Sequence, residues 1–312
     1  MCLAALGDDM ESARSNAEKF LAQWSIRLDD LREYAGAVGD NEFLLLVGSI
    51  PEGLANSASD IDLLMVGERK SEGALIIGDT GYEESSARLP GGQEINIEYW
   101  RPEDLQQIQR RMTNTIATLR DPAALQKIEV FNEAELLLLH RLKSGVVLAN
   151  PDAAERCRER LFLTLLADYS VLYWISFHYI FREDAIAQAA DGDMLSALWM
   201  FKSALDHLGG AMLASVGETN PVSKWRLRLL LENKSPLGSN NVDTFIQYLF
   251  LDPGETNLER LRDVTAFCDR SIMECAGRRQ VIVPAMMELN KRMYSVKSFE
   301  EFLEVKKSMQ PL

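Results

Sequence analysis

The chain has 312 residues, of which 47% are hydrophobic, and its formal net charge is −14 at pH 7. This length is enough for one large or two ordinary domains, and the apolar fraction is enough to form buried cores. Proteins that bind long nucleic acids by neutralising many phosphates usually carry a broad basic surface, and the composition of this acidic chain does not predict one. An acidic surface instead attracts cationic small molecules.

The N-terminal third contains helical and strand patterns. Residues 11–34 carry apolar side chains at helical spacing and are followed by a glycine-containing segment, so they predict one amphipathic helix. Residues 44–47 form an apolar run, and a second apolar run starts at residue 61, which predicts two strands joined by a polar loop. A short strand at 75–77 and turns rich in glycine and proline are expected next.

The polar loop and the start of the second strand carry the most informative residues. Gly48 and Ser49 directly follow the first strand, and Asp60 and Asp62 introduce the second. Because side chains two apart in a strand leave the same face, both carboxylates could hold divalent cations together. The glycine lets the backbone approach a phosphate group closely, and the serine adds a hydroxyl and an amide donor.

A third carboxylate is expected on the strand predicted for residues 94–100, where polar and apolar residues alternate with period two. The apolar members of this strand are expected to face the core, and the polar members are expected to face a cleft. We favour Glu98 over Glu94 as the third carboxylate, because Glu98 has apolar neighbours on both sides.

Each of these signals also has a purely structural explanation. A lone Asp-x-Asp at a strand end is most often a solvated turn, and a lone Gly-Ser pair is only a loop. Strand context, loop spacing and a later acidic strand favour a metal site when they occur together. The presence of all three acids also argues against a degenerate copy of the fold that has lost its chemistry.

This arrangement resembles the signature of the nucleotidyltransferase superfamily that includes DNA polymerase β and the kanamycin nucleotidyltransferases. That signature is Gly-Ser or Gly-Gly, a loop of variable length, an Asp-apolar-Asp strand end and a third carboxylate on a later strand. The resemblance implies that Asp60, Asp62 and Glu98 are catalytic and hold two Mg²⁺ ions. It also implies a nucleoside triphosphate, favoured as ATP, bound by residues that include Gly48, Ser49 and Ser59.

From residue 102 onward nearly every segment has a helical pattern, with breaks at 144–145 and 150–151. We therefore expect an α+β chain in which a mixed β-sheet with flanking helices precedes an all-α bundle. The domains are assigned as residues 1–130, catalytic, and residues 131–312, helical and acceptor-binding. Helices are predicted at residues 104–119, 132–142, 152–182, 193–215, 221–233, 242–251, 256–277 and 281–293.

Two lysines in the helical half are further candidates. Residues 202–207 and 220–225 resemble the lysine-bearing helix and the Lys-Trp helix start that follow the catalytic domain in many stand-alone nucleotidyltransferases. This resemblance makes Lys202 and Lys224 candidates for binding the nucleotide or the acceptor. The structural alternative is that Lys224 is a solvated side chain in a capped first turn. The three histidines lie far apart in the sequence, and structural roles are expected for them.

Cysteine usage and apolar segments indicate the compartment. The four cysteines lack Cys-x-x-Cys or Cys/His metal spacing and are interpreted as reduced thiols, so we expect a cytoplasmic protein. Asp8 and Asp9 lie where a signal peptide would have its basic start and apolar core, and no signal peptide is expected. Residues 161–181 are strongly apolar but carry interrupting polar residues, which predicts a buried helix rather than a membrane span.

The resemblance implies transfer of a nucleoside monophosphate, favoured as AMP, to a hydroxyl or similar nucleophile of a small molecule, with release of pyrophosphate. Two alternatives stay open. One is a protein-modifying or toxin-neutralising nucleotidyltransferase that acts on a macromolecule, and the other is a non-catalytic nucleotide-binding scaffold. Neither broad nucleic-acid binding nor a membrane partner is expected from the acidic composition.

Overall fold

The computed structural model describes residues 2–36, 38–67, 75–76, 83–89, 92–120, 130–285 and 287. The chain divides into two compact units, which are described separately. The first contains Met1–Thr113 and Phe131–Thr164, and the second contains Asn114–Val130 and Leu165–Leu312. The fold is α+β, as predicted, because the described strands all lie in the first unit and helices follow them along the chain.

The first unit contains a mixed sheet. Its described strands are β1 (Phe43–Val47), β2 (Ile61–Val66), β3 (Leu75–Ile76), β4 (Glu83–Arg88), β5 (Glu94–Trp100) and β6 (Val146–Ala149). Their order across the sheet is β3-β4-β5-β2-β1-β6. The pair β2–β5 is parallel, and the other neighbouring pairs are antiparallel. Strands β1 and β2 confirm the two strands predicted on either side of the polar loop.

The central strands are apolar because both of their faces are largely covered. All five residues of β1 are buried, and so are five of the six residues of β2. In β5, Ile95, Ile97 and Tyr99 join the apolar core on one face, which confirms the alternation predicted for this strand. Ala17 and Leu21 pack in the same core, so the first helix of the chain covers this face.

Two helices, rather than the one predicted, precede the sheet: α1 (Cys2–Ala22) and α2 (Leu28–Ala35). The prediction of one continuous helix is wrong because Ser25 adopts a φ of 57°, in the left-handed region that a right-handed helix cannot include. The Arg27 backbone N–H then donates to Asp30 Oδ2 at 2.8 Å, which closes the start of α2.

Three further helices begin in the first unit: α3 (Pro102–Arg120), α4 (Glu133–Ser144) and α5 (Pro151–Arg160). The first two confirm the helices predicted at 104–119 and 132–142. At the start of α4, Asn132 Oδ1 accepts a hydrogen bond from the Glu135 backbone N–H at 2.9 Å. Glu135 Oε2 accepts one from the Asn132 N–H at 2.9 Å. This reciprocal capping box fixes where α4 begins.

Strand β6 was missed by the sequence analysis, which placed breaks at 144–145 and 150–151 and assigned no element between them. The strand pairs with β1, with Leu46 opposite Val146 and Leu45 opposite Val147. Its four residues are too few to give a clear alternation, and their extended conformation depends on this pairing. Because β6 belongs to the sheet, Phe131–Thr164 lies in the first unit, beyond the boundary expected at residue 130.

A buried arginine ties α5 to the end of α4. Arg158 donates from Nε to the Leu142 carbonyl and from a terminal guanidinium nitrogen to the Gly145 carbonyl, both at 2.8 Å. The side chain is 9% exposed, so water cannot replace both bonds if they are lost. Arg158 therefore holds the last turn of α4 in place.

The second unit is helical over the residues that the structure describes. Its elements are the end of α3, then α6 (Leu166–Ala190), α7 (Met194–Ser215), α8 (Ser223–Glu232), α9 (Lys234–Leu237), α10 (Ser239–Leu249) and α11 (Leu258–Arg278). The helices predicted at 193–215, 221–233, 242–251 and 256–277 correspond to α7, α8, α10 and α11. The single helix predicted at 152–182 is wrong, since Phe162 has a φ of 52° between α5 and α6. Most of the helix predicted at 281–293 lies outside the described residues.

The two histidines of the second unit make contacts within that unit. His178 is fully buried, its Nδ1 lies 2.8 Å from the Ala204 carbonyl oxygen, and burial lowers its pKa to about 3. The half-buried His207 ring stacks with Phe177 and with Phe181, with ring centroids 5.6 and 5.0 Å away. Both environments fit the structural roles that the sequence predicts.

The apolar composition of α6 reflects burial of much of its surface inside the second unit. Among the described helices, none is by itself long and apolar enough to cross a membrane. The bent pair Pro151–Arg160 and Leu163–Ala190 passes the same test of length and composition when its two parts are taken together.

We expect Arg158→Met to destabilise the protein by about 3 kcal/mol, because two carbonyl groups lose charge-assisted hydrogen bonds. Methionine keeps most of the side-chain volume, so the loss of packing is small. Urea unfolding of the intact protein measures this loss. Arg156→Met is the matched control, since Arg156 lies in the same helix and is exposed. Equal stability of the two variants would contradict the role assigned to Arg158.

Candidate active site

Strand register brings the polar residues of β2 and β5 to one face of the sheet. Asp62 lies opposite Asn96, and Leu64 lies opposite Glu98, in the parallel pair β2–β5. Because residues directly opposite each other share a face and alternate residues repeat it, Asp62, Asn96 and Glu98 all leave the sheet on the same side. Glu84 of β4 lies opposite Glu98 and adds a further carboxylate to this face.

Gly48 lies directly against the Asp62 carboxylate. Its φ is 75°, and a Cβ atom built on it would lie 2.5 Å from Asp62 Oδ2, closer than any real side chain permits. A glycine is therefore required here for two separate reasons, the left-handed backbone and the space taken by the carboxylate. The group that lies next to Gly48 is the Asp62 carboxylate. The approach of this backbone to a phosphate stays a prediction.

The loop after Gly48 is a compact turn anchored by buried apolar residues. The Ser49 carbonyl oxygen accepts hydrogen bonds from the N–H groups of Leu54 and Ala55, at 2.8 and 3.0 Å. Ile50 and Leu54 are 1% and 0% exposed and belong to the interior of the unit. Asn16 of α1 donates to the Pro51 carbonyl oxygen at 3.2 Å. The position of the loop is thus fixed before any ligand binds.

The second half of the loop is organised by Asn56. Its backbone N–H donates to Ser59 Oγ at 2.9 Å, and its side-chain oxygen accepts from the Ala58 N–H at 2.9 Å. Ser59, predicted to bind the nucleotide, thus has its hydroxyl engaged in the turn that leads to Asp60. Its nucleotide-binding role stays a prediction.

Glu98 is held by two donors from different elements. Trp100, two residues further along β5, donates from Nε1 to Glu98 Oε1 at 2.5 Å. Arg141, near the end of α4, forms an ion pair and hydrogen bond with Glu98 Oε2. Burial raises the pKa of Glu98, while the positive charge of Arg141 and the Trp100 hydrogen bond act in the opposite direction.

Asp62 lies in the same electrostatic environment. Burial raises its pKa, the charge of Arg141 and a hydrogen bond with the Asn96 side chain lower it, and the charges of Asp60 and Glu98 raise it further. Ser86 Oγ in turn donates to Asn96 Oδ1 at 2.7 Å, which orients that amide. The mutual influence of these carboxylates indicates a concentration of negative charge on this face, with Arg141 as a nearby cation.

Residues 28–133 match the family described as the nucleotidyltransferase domain. This match covers 106 of the 312 residues of the chain. The matched segment includes the loop and the strands that bear Gly48, Ser49, Asp60, Asp62 and Glu98, and it ends before Arg141.

Two further comparisons concern solved structures and curated proteins. A solved nucleotidyltransferase-like protein from Exiguobacterium sibiricum 255-15 is 14% identical to this chain, covers 84% of it and is itself covered over 76%, with a TM-score of 0.42. A search of curated proteins found no match.

Two residues of α4 that the sequence analysis did not assign to the site contact the carboxylates of the β2–β5 face and the loop after Gly48. Arg141 contacts Glu98, as described above. The neighbouring His140 places Nε2 3.1 Å from Glu52 Oε1 in the Gly-Ser loop, and both side chains are nearly buried. The sequence analysis considered α4 only as a helix and His140 only as an isolated histidine. A contact across 43 residues of sequence leaves no local pattern to detect.

Glu94, Lys202 and Lys224 are the remaining candidates from the sequence. Glu94, the less favoured candidate for the third carboxylate, lies 4.0 Å from Arg88, and its side chain is 41% exposed. Lys202 of α7 and Lys224 of α8 belong to the second unit. Lys224 Nζ lies 5.1 Å from the centre of the Trp225 ring. The nucleotide-binding roles of these two lysines stay predictions.

The acidic face has the donor chemistry of a magnesium site, because carboxylate oxygens are the ligands that this hard cation takes. Asp62 is half-buried and Glu98 is buried on the same face, with Arg141 close by, and such a face favours added positive charge. Over the described residues, however, no three His, Cys, Asp or Glu groups are positioned together as metal ligands. Glu98 is instead directed to Arg141.

The contact between Gly48 and Asp62 can be tested with a pair of glycine variants. Gly192 has a similar φ of 85°, but a Cβ atom there meets nothing within 4 Å. Gly192→Ala therefore measures the cost of an alanine at positive φ without a clash, and Gly48→Ala adds the clash with Asp62. We expect Gly48→Ala to destabilise by at least about 1 kcal/mol more than Gly192→Ala in urea unfolding. Equal losses would mean that the Asp62 carboxylate moves away without cost.

Proposed function

We propose that this protein transfers a nucleoside monophosphate, favoured as AMP, from a nucleoside triphosphate to a hydroxyl or similar nucleophile of a small molecule. The observation that carries this proposal is the placement of Asp62 and Glu98 on one sheet face, beside the close backbone approach of Gly48. This arrangement lies in the segment that matches the nucleotidyltransferase domain.

In the proposed reaction, an oxygen of the acceptor forms a bond with the α-phosphorus of the triphosphate. The bond between that phosphorus and the oxygen bridging to the β-phosphate breaks, and pyrophosphate leaves with the bonding electrons. The acceptor hydroxyl also loses a proton. Glu98 is the proposed base for this proton, since its carboxylate lies on the acidic face.

Asp60, Asp62 and Glu98 are the proposed ligands of two Mg²⁺ ions. Bound magnesium would neutralise the phosphate oxygens and the charge that develops on the leaving group. Gly48 and Ser49 would hold the β and γ phosphates through backbone N–H groups and the serine hydroxyl. The buried anchors of this loop favour a fixed rather than an induced phosphate position.

The acceptor is proposed to be a small, cationic or neutral molecule. The net charge of −14 disfavours the many phosphate contacts that a nucleic acid requires, and it favours amines. Free thiols at Cys157, Cys268 and Cys275 support a reducing compartment such as the cytoplasm.

A screen of the intact protein with the four ribonucleoside triphosphates tests the proposal. Each triphosphate, labelled on the α-phosphate, is supplied with Mg²⁺ and a set of amino and hydroxyl acceptors, and pyrophosphate release is measured. Pyrophosphate release that requires a small-molecule acceptor, with label transferred to it, supports the proposal. Label transferred to protein would instead support a protein-modifying enzyme, and triphosphate binding without turnover would support a non-catalytic scaffold.

The same assay ranks the acidic residues. We expect Asp62→Asn and Glu98→Gln to lower kcat by a factor of about 100 or more, which corresponds to about 3 kcal/mol in the barrier. Glu94→Gln is the matched control, because Glu94 lies on the same strand and face but is more exposed than Glu98, at 41% against 10% of the side chain. It should retain most activity. A folded Asp62→Asn protein with normal turnover, or a reversed order of the two glutamates, would contradict the assignment.

A further inference from the structure

Both carboxylate oxygens of Glu98 already have a partner from this chain. Oε1 accepts from Trp100, and Oε2 faces the guanidinium of Arg141. Glu98 is 8% exposed, so its carboxylate has little contact with water besides these two partners. A divalent cation that bound Glu98 would therefore have to share the carboxylate with an existing positive charge.

The Arg141 ion pair is incomplete for an arginine in a buried position. Arg141 reaches Glu98 through one terminal nitrogen, and its Nε is buried without a hydrogen-bond partner among the described residues. A purely structural arginine would be expected to use more of its donors, as Arg158 does with two backbone carbonyls. The contact with Glu98 is thus exchangeable at a smaller cost than a bidentate pair.

The position of Arg141 permits such an exchange without movement of the helix. The capping box at the start of α4 and the bonds from Arg158 near its end hold the backbone. The Arg141 side chain itself is 16% exposed and has several rotatable bonds. In the exchange proposed below, the guanidinium leaves Glu98 by rotation of this side chain.

We propose that Arg141 is a resident counter-cation that competes with a divalent metal ion for Glu98, so that metal binding requires the guanidinium to leave this carboxylate. This inference rests on the proposed function, because it takes the acidic face to be the metal site. It adds a residue outside the matched segment 28–133 that sets how tightly the metal binds. Two positive charges near one carboxylate repel each other, so removal of one strengthens binding of the other.

The test measures Mn²⁺ binding to the intact protein without nucleotide. Electron paramagnetic resonance reports the concentration of free Mn²⁺ during the titration. Arg141→Met removes the charge and keeps most of the aliphatic side chain. We expect its Kd for Mn²⁺ to fall by about tenfold relative to the unmodified protein. Arg141→Gln, which keeps a hydrogen-bond donor for Glu98, should shift the Kd in the same direction.

Arg111→Met is the matched control for loss of an arginine charge. Arg111 of α3 pairs with Glu135 of α4 in the same unit. Its removal should leave the Kd for Mn²⁺ within about twofold of the original, since exposed or distant charges are screened. In a Glu98→Gln background, Arg141→Met should change the Kd much less than it does in the original protein.

The possible outcomes distinguish failure of the inference about Arg141 from failure of the proposed function. Equal Mn²⁺ affinity with and without Arg141, or weaker binding in both Arg141 variants, overturns the inference and leaves the metal site intact. Absence of Mn²⁺ binding in every variant overturns the inference and the metal-dependent function together. If both Arg141 variants fail to fold while Arg111→Met folds, Arg141 is a structural ion-pair partner and the inference is overturned.

Discussion

The concentration of carboxylates on one largely buried sheet face is the constraint on which the rest of the first unit depends. Burying a carboxylate is costly unless a positive charge or hydrogen-bond donors compensate. Here Asp62 and Glu98 obtain that compensation from Arg141, Asn96 and Trp100. Residues that lie far apart in sequence must therefore be held in register, and the arrangement of α4 against the sheet follows from this requirement.

Helix α4 meets this requirement through adjacent residues. Arg141 faces Glu98, while His140 faces Glu52 in the loop that follows Gly48. One helix turn thus contacts both the acidic face and the loop proposed to bind phosphates. A change at the end of α4 should affect both parts of the site together, and the Arg158 bonds to Leu142 and Gly145 gain functional importance for that reason.

The local patterns of the sequence were sufficient to predict the strands that carry the acids. Alternation in residues 94–100 identified which side chains of β5 enter the core, because the period of a strand is expressed residue by residue. Most helices of the second unit were predicted for the same reason, since their apolar spacing repeats over several turns.

Features that depend on long-range contacts could not be read from the sequence. Strand β6 is extended because it pairs with β1, and its four residues carry no pattern of their own. The breaks at Ser25 and Phe162 rest on left-handed residues that are not glycine, so the usual signal was missing. Arg141 was missed because its partner is fixed by the packing of α4 and not by sequence spacing.

The central claim is that the acidic face of the first unit binds metal and triphosphate after Arg141 leaves Glu98. A crystal structure of the intact protein with Mn²⁺ and a non-hydrolysable α,β-methylene analogue of ATP tests it most directly. The account predicts an anomalous Mn²⁺ peak bound by Asp62 and Glu98, with the triphosphate against the Gly48-Ser49 loop and the Arg141 guanidinium away from Glu98. A peak at another place, or Mn²⁺ bound while Arg141 stays on Glu98, would contradict it.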